Sequence, residues 1–238
     1  MKLKTDKNIK SLRGNWNFSG KVPNNFLEHV KKSIPFYEET HELILDYAEY
    51  FCKQNSICYE IGSATGELTK KLAKRFKDKQ TKIIGIDNEK SMINFAKKNT
   101  TNSIKNLSYL NKDIVKMNLK KSDLIISFYT IHFIEPKFRQ EIFNKIYESL
   151  NWGGALILFE KVRAPDARFQ DMSINLYNNF KYRKGFDHAE IYNKSESLKS
   201  VLEPYSSKAN LDFLKRAGFK DFMSIFKFIS FEGFLAIK

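Results

Sequence analysis

Cysteine is scarce in this chain, and long apolar runs are absent. Two cysteines among 238 residues, Cys52 and Cys58, cannot build a disulfide scaffold and lack the four-ligand pattern of a structural zinc site. They favour a reducing compartment. The longest apolar runs, at 124–129 and 155–159, have the length of strands rather than the roughly 18 residues of a membrane span. Because residues 1–18 also lack the apolar core of a signal peptide, we expect a cytoplasmic protein without a membrane span.

Arginine is also rare, although the chain is basic. There are 41 Lys and Arg against 27 Asp and Glu, which gives a net charge of +14, and only 7 of the basic residues are Arg. A basic surface can bind nucleic acid. Abundant Lys together with many Asn, Ile and Phe residues is, however, what an AT-rich coding sequence produces. A solvated lysine-rich surface is therefore the simpler interpretation, and a face that binds RNA is the alternative.

The hydrophobic pattern predicts strands that alternate with helices through the first two thirds of the chain. Strands are predicted at 57–61, 82–87, 107–113, 123–131 and 155–161, and helices at 38–54, 67–77, 90–98 and 136–150, with a break at 151–154. This alternation implies a mainly parallel sheet with both faces covered. Two final strands, near 221–229 and 232–237, are predicted to add an antiparallel edge. The predicted fold is therefore α/β, with a Rossmann-like sheet of seven strands.

The rest of the chain is predicted to surround this core. Residues 1–54 form an N-terminal lid and helix, and 55–162 form the Rossmann-like core. The segment 163–207 is polar, aromatic and too long for an ordinary connection, so we expect a helical insertion over the active site. Residues 208–238 complete the core with a helix ending at Gly218 and the last two strands.

The sharpest motif is EIGSATG, which runs from Glu60 to Gly66 between a predicted strand and a predicted helix. Open α/β sheets bind ligands beyond the carboxyl ends of their strands. Gly62 allows a tight backbone turn, and Gly66 allows the loop to pass close to a ligand at the helix N-terminus. The motif therefore predicts a ligand-binding loop.

Two aspartates stand at the ends of the next two strands. Asp87 can accept hydrogen bonds from both hydroxyls of a ribose, and its alternative role is to cap the following helix. Asp113 can accept from an adenine amino group, and its alternative role is that of a turn residue. The loop and the two aspartates stand at three successive strand ends, and together they indicate a ligand that contains adenosine.

The loop G-S-A-T-G departs from the G-x-G-x-x-G of dinucleotide sites, and an acidic residue, Glu60, precedes it. This pattern resembles the first motif of class I S-adenosylmethionine (SAM) methyltransferases. There, an acidic residue near the strand end faces the amino group of the methionine moiety. The resemblance implies SAM as the cofactor and S-adenosylhomocysteine as the product. No metal is expected, because no Cys, His or Asp cluster has the spacing of metal ligands.

A narrower resemblance covers about residues 13–238. The chain resembles the carboxy-SAM synthase family of tRNA wobble-uridine modification, and this resemblance implies a homodimer. The matching stretches are WNF (16–18), KSIPFY (32–37), IDNEKSMI (86–93), KDI (112–114), TIHFIEP (130–136), LNWGGALILFEK (150–161), FKYRKGF (180–186), VLEPYS (201–206) and LKRAGF (214–219).

The resemblance also implies the parts of a cofactor pocket. Tyr37 closes over the cofactor from the lid. The methionine end lies against the loop, the ribose is held at the end of the second strand, and the adenine at the end of the third. In that order, the residues implied are Gly62, Ser63 and Ala64, then Asp87 and Asn88, then Asp113 and Ile114.

Two positions depart from the family at the reactive end of the pocket. Ser195 stands where the family has an Arg that binds the extra carboxylate of the modified cofactor, and Phe128 stands where the family has an Asn. A hydroxyl cannot replace a bidentate guanidinium, and Arg183 is a possible substitute. We therefore expect ordinary SAM and methyl transfer to a small molecule or an RNA nucleoside such as one in tRNA. The alternatives are a carboxy-SAM synthase that uses prephenate and a SAM-binding protein without catalysis.

Few side chains are candidates for catalysis. His132 is the best-placed general base if the acceptor must lose a proton, although a packed histidine is the simpler interpretation. Tyr129 is an alternative hydroxyl donor, and Phe128 and Tyr37 are candidates to face the sulfonium. Within the insertion, aromatic residues and one histidine are candidates to line an acceptor pocket: Tyr177, Tyr182, His188 and Tyr192.

Overall fold

The computed structural model describes residues 13–14, 16–18, 20, 22–101 and 103–238. Its elements, in chain order, are α1 (Val22–Ser33), α2 (Tyr37–Phe51), β1 (Ile57–Ile61), α3 (Glu67–Arg75), β2 (Lys82–Asp87), α4 (Lys90–Lys98), β3 (Leu107–Asn111), β4 (Ser122–Phe128), a short 3₁₀ helix (Ile131–Phe133), α5 (Pro136–Ser149), β5 (Leu150–Lys161), α6 (Ala167–Arg183), α7 (His188–Leu198), α8 (Ser207–Ala217), β6 (Asp221–Phe228) and β7 (Phe231–Ile237). Residues 1–12 of the predicted N-terminal lid lie outside the described residues.

The seven strands form one sheet in the order β3-β2-β1-β4-β5-β7-β6. Strands β1 to β5 pair in parallel, whereas β7 is antiparallel to both β5 and β6. This arrangement confirms the predicted α/β fold and its antiparallel C-terminal edge. The order reverses at β1, so the carboxyl ends of β1 and β4 flank the crevice where such sheets bind ligands.

Two apolar layers cover the sheet. On one face, α2 and α3 contribute Ile44 and Leu72 to a core that includes Ile157 and Phe159 of β5. On the other face, α5 and α8 pack against the alternate residues of the same strand. Because β5 is buried on both sides, its sequence reads as a continuous apolar run rather than an alternating one.

Several predicted element boundaries were wrong. Strand β5 begins at Leu150 instead of after residue 154, because a register shift between Ser122 and Leu124 of β4 lets the NWGG segment continue the strand. Strand β4 ends at Phe128 instead of at 131, because Tyr129 adopts a left-handed conformation with φ 54°. Strand β3 ends at Asn111 instead of at 113. Helix α1 was not predicted, because few of its residues are buried.

The insertion consists of two helices, α6 and α7, as its composition predicted. Asp166 and Asp187 cap their N-termini by accepting hydrogen bonds from the amides of Phe169 and Glu190. The segment that follows α7 is held by the buried guanidinium of Arg139, which donates to the carbonyls of Glu203, His132 and Ile134. This tie holds the end of the insertion beside the carboxyl edge of the sheet. Within the described residues, no helix has the length and apolarity that crossing a membrane requires.

Candidate active site

A cavity of about 1410 Å³ opens at the carboxyl edge of the parallel strands. Residues at the ends of β1, β2, β4 and β5 form its floor. Helices α1 and α2 contribute one side of the wall, and the insertion contributes the other. The N-terminal helices, the sheet, the insertion and the start of β7 therefore all contribute residues to the cavity wall.

The glycine loop after β1 forms part of the cavity wall. Gly62 has φ +75°, and a Cβ at this position would overlap the side chain of Thr130. The amides of Gly62 and Ser63 both donate to the carbonyl of Ile86, at 2.7 and 2.9 Å. Ser63 Oγ and Thr65 Oγ1 are buried and have no hydrogen-bond partner among the described residues. A polar ligand end, such as the methionine moiety of SAM, fits this loop because it would supply the partners that these hydroxyls lack.

Gly66 is the exception among the predicted cofactor residues, because it does not line the cavity. It precedes α3 with φ +79°, and a Cβ there would overlap the ring of Tyr109. A glycine is thus required at position 66 by the backbone conformation and by packing against β3 rather than by the approach of a ligand.

Asp87 connects two loops of the cavity. Its Oδ2 accepts from the amide of Ala64 at 2.9 Å, and its Oδ1 accepts from the amide of Glu89 at 2.8 Å. Glu89, not Asp87, caps α4, so the helix-cap role considered for Asp87 is wrong. Burial raises the pKa of Asp87. Because a carboxylate oxygen can accept more than one hydrogen bond, ribose hydroxyls can still donate to it, and the exposed Asn88 lies beside it in the cavity wall.

Asp113 has both of the roles considered for it. Its Oδ1 accepts from the amide of Val115 at 2.9 Å, which makes it a turn residue after β3. It also lines the cavity together with the buried Ile114. An apolar side chain next to a hydrogen-bond acceptor suits the face and the amino edge of an adenine ring.

Glu60 is buried near the end of β1 and lines the cavity. The hydroxyl of Thr69 in α3 donates to its Oε2. Burial raises the pKa of Glu60 to about 8, and the charge of Asp87 contributes in the same direction. A cationic group in the cavity would favour the ionised carboxylate.

An aromatic cluster lines the cavity next to β4. The rings of Tyr37 and His41, both in α2, lie 5.7 and 4.9 Å from the ring of Phe128. His41 was not among the predicted site residues, yet it lines the cavity, and its Nε2 has no partner among the described residues. Burial lowers the pKa of His41 to about 3, so this wall is uncharged at neutral pH. The sequence did contain a signal for this placement: His41 is four residues after Tyr37, a spacing that puts both side chains on one face of a helix.

Tyr129 and His132 follow β4, and both line the cavity. The hydroxyl of Tyr129 is buried without a partner among the described residues, and burial raises its pKa well above the ordinary value, so it stays protonated. The buried imidazole of His132 accepts the amide proton of Lys161 at Nδ1, at 3.1 Å, and this atom lies 3.3 Å from Glu160 Oε2. The ring of His132 is therefore held in one orientation.

The insertion contributes fewer site residues than predicted. Tyr177 and Ser195 line the cavity, but Tyr182, His188 and Tyr192 do not. Tyr182 and His188 instead stack on each other at 5.0 Å on the outer surface. Arg183 is exposed at the end of α6 and also lies outside the cavity wall, so it does not replace the missing arginine. The described residues contain no group of three His, Cys, Asp or Glu side chains placed to hold a metal ion.

Comparisons with known proteins identify the family and agree with the fold. A family model described as a methyltransferase domain matches residues 59–154. Carboxy-S-adenosyl-L-methionine synthase of Campylobacter lari is 34% identical over 96% of this chain and 97% of its own length. The protein of the same name from Staphylococcus epidermidis is 34% identical over 94% of this chain and 97% of its own.

Solved structures share the fold at low sequence identity. Human N-acetylserotonin methyltransferase, in complex with SAM, has a TM-score of 0.63 and 15% identity, and the match covers 92% of this chain and 56% of that one. The cyclopropane synthase MmaA2 of Mycobacterium tuberculosis has a TM-score of 0.56 and 15% identity, with coverage of 79% and 62%. These similarities concern the fold alone.

The substitution of Gly62 by alanine tests the tight packing of the loop. Gly153 is the matched control, because it has the same φ of +75° but open space around the position of a Cβ. We expect Gly153→Ala to lower the free energy of unfolding by about 1 kcal/mol through backbone strain. Gly62→Ala should cost about 1–3 kcal/mol more, because the new methyl group overlaps Thr130. Urea unfolding measures both values, and equal losses would contradict this account of the loop.

Proposed function

Since the chain belongs to the carboxy-S-adenosyl-L-methionine synthase family and has the fold of SAM-dependent methyltransferases, we propose that it is an enzyme that transfers a methyl group from SAM to a small molecule or an RNA nucleoside. The observation that carries the proposal is the cavity at the sheet edge. It combines three acidic side chains at successive strand ends with an uncharged aromatic wall, and its polar acceptors are Glu60, Asp87 and Asp113.

The acidic residues and the loop would hold the cofactor. Glu60 and the unpartnered hydroxyl of Ser63 suit the methionine end, Asp87 and Asn88 the ribose, and Asp113 with Ile114 the adenine. When bound, SAM supplies an activated methyl group. Tyr37 and Phe128 lie together at the reactive end, where their rings exclude water and offer π faces to a sulfonium.

Two side chains that line the cavity favour ordinary SAM over a cofactor that carries an extra carboxylate. Phe128 presents an apolar ring, and the exposed Ser195 presents only a hydroxyl. Neither supplies the charge-assisted hydrogen bonds that a buried carboxylate requires. The aromatic cluster around Phe128 therefore supports methyl transfer.

Methyl transfer is an in-line displacement, so the enzyme mainly supplies alignment and water exclusion. If the acceptor must lose a proton, His132 remains our proposed base, because it lines the cavity. Its Nδ1 already accepts the amide proton of Lys161, so it would have to give up that hydrogen bond to take the proton. Tyr129 remains the proposed hydroxyl donor, because its proton is retained and has no partner among the described residues.

The second candidate is a carboxy-SAM synthase that uses SAM and prephenate. The names of the two curated relatives favour it, because each relative matches over 97% of its own length. In this case, the carboxylate would be held by residues other than the missing arginine. The third candidate is a SAM-binding protein without catalysis. Binding of SAM with no turnover would favour it.

An assay with mass spectrometry separates these functions. The purified protein is incubated with SAM alone, with SAM and prephenate, and with SAM and a small-molecule extract or tRNA. We expect S-adenosylhomocysteine and a methylated acceptor, with no carboxy-SAM. The Asp87→Ala variant should lose the signal, and the exposed Glu42→Gln variant serves as the control. Carboxy-SAM formation that depends on prephenate would establish the second candidate instead.

The raised pKa of Glu60 predicts how SAM affinity depends on pH. Without the cofactor, Glu60 is mostly protonated below its pKa of about 8, and it must ionise to bind an ammonium group. We therefore expect SAM affinity to fall by up to about tenfold per pH unit between pH 8 and pH 6. Glu60→Gln should bind SAM more weakly at pH 8.5 and show a flat profile. Calorimetry measures both, and a flat profile for the unmodified protein would refute this role.

We propose that the enzyme pairs with a second copy through α6. This helix exposes large apolar side chains three and four residues apart, Phe169, Met172 and Leu176, each at least half exposed. Such a stripe favours a protein contact. Light scattering should therefore give a dimer mass that Met172→Lys reduces to that of a monomer, whereas Lys184→Met leaves it unchanged. A monomer at all concentrations would contradict the pairing.

We also place the enzyme in the cytoplasm. Cys52 and Cys58 are both buried and unbonded, as expected for a reducing compartment. The net charge of +14 supports RNA docking as an option for the acceptor, because lysine-rich surfaces attract polyanions.

A further inference from the structure

Two lysines in the wall of the cavity lie on the same tyrosine ring. Lys161 is the last residue of β5, and Lys181 lies on α6. The Nζ atom of each is 4.5 Å from the ring centroid of Tyr177, and both residues line the cavity. Tyr177 is itself fixed, because its hydroxyl donates to the carbonyl of Ser33 at 2.9 Å. The two ammonium groups therefore share one wall of the cavity.

The charge of Lys161 is not neutralised by a carboxylate in the described part of the chain. Its ammonium group contacts the rings of Tyr177 and Phe231, and no ion pair with an Asp or Glu is formed. The neighbouring Glu160 points to the opposite face of the strand, where it lies against His132. Burial, with the nearby charge of Lys181, lowers the pKa of Lys161 to about 8. A partly buried cation of this kind is stabilised when an anion joins it.

A continuous row of aromatic rings leads from the reactive end of the cofactor pocket to these lysines. Phe128 and Tyr129 are 4.5 Å apart, Tyr129 and Phe231 are 5.5 Å apart, and Phe231 and Tyr177 are 5.1 Å apart. An organic molecule placed along this row would have its reacting atom near Phe128 and its far end at the lysines.

The geometry assigns Lys161 and Lys181 to a subsite for the anionic group of the second substrate, a small molecule with a carboxylate or a phosphate. This assignment rests on the proposed function only in requiring a second substrate beside bound SAM. It applies to an anionic methyl acceptor and equally to an anionic reagent of the alternative reaction. The aromatic row selects a flat or apolar body, and the lysines select its charge.

Calorimetry on the full-length protein saturated with SAM tests the subsite. The probes are benzoate, phenyl phosphate and benzamide, the last being a neutral molecule of nearly the same shape as benzoate. We expect at least one anion to bind, and benzamide to bind about tenfold more weakly or not at all. The anion that binds more tightly identifies the group as a carboxylate or a phosphate.

Variants connect this binding to the two lysines. Lys161→Met and Lys181→Met should each weaken anion binding by about tenfold, because each removes a charge-assisted contact but keeps the apolar stem. Lys161→Arg retains the charge and should bind the anion more tightly than Lys161→Met. Lys184 is an exposed lysine just beyond α6, so the Lys184→Met variant should bind the anions as tightly as the parent does. Thermal unfolding confirms that each variant is folded.

Three results would overturn the assignment: neither anion binds the SAM-loaded protein, benzamide binds as tightly as benzoate, or the lysine variants bind the anions as tightly as the parent does. The affinity for SAM itself is measured in the same variants and should remain within about twofold of the parent. Loss of SAM binding in the unmodified protein would instead refute the proposed cofactor site, so the two failures are distinguishable.

Discussion

The parallel pairing of β1 with β2 on one side and with β4 on the other is the constraint on which the site depends. In this register, Ile61 lies opposite Ile86 and Ser127, and Phe128 lies opposite Phe159. All of these strands therefore end at the same edge, so loops that are far apart in sequence meet there. Strand β7 is antiparallel to β5, so its amino end rather than its carboxyl end lies at this edge.

Local contacts convert that edge into a cavity with a defined shape. The carboxylate of Asp87 joins the loop after β1 to the start of α4 through two backbone amides. Gly62 turns where Thr130 leaves no room for a Cβ. The guanidinium of Arg139 holds the segment after the insertion by three carbonyl groups. Each tie satisfies backbone groups that would otherwise be buried without partners, so the cavity wall and the fold are stabilised together.

Three groups of side chains in the cavity wall decide which ligands it suits. Glu60, Asp87 and Asp113 stand at or just after the ends of β1 to β3, the uncharged cluster around Phe128 stands at the end of β4, and Lys161 and Lys181 lie against Tyr177. Because charges interact most strongly at short range, these carboxylates favour a cationic group beside them and these lysines favour an anionic one. The cavity therefore suits a cationic cofactor together with an anionic partner.

Much of this protein was determined by the sequence itself. Apolar strand runs, helical spacing and the order of glycine and acidic residues predicted the fold and placed Glu60, Asp87 and Asp113 at successive strand ends, because these features depend on neighbours in the chain. Tertiary structure decided the rest. It assigned Gly66 to packing against Tyr109, moved Tyr182 and His188 to the outer surface, and brought Lys161 and Lys181 to one ring. A lysine looks the same in the sequence whether it is solvated or buried, and only the packing of distant segments makes the difference.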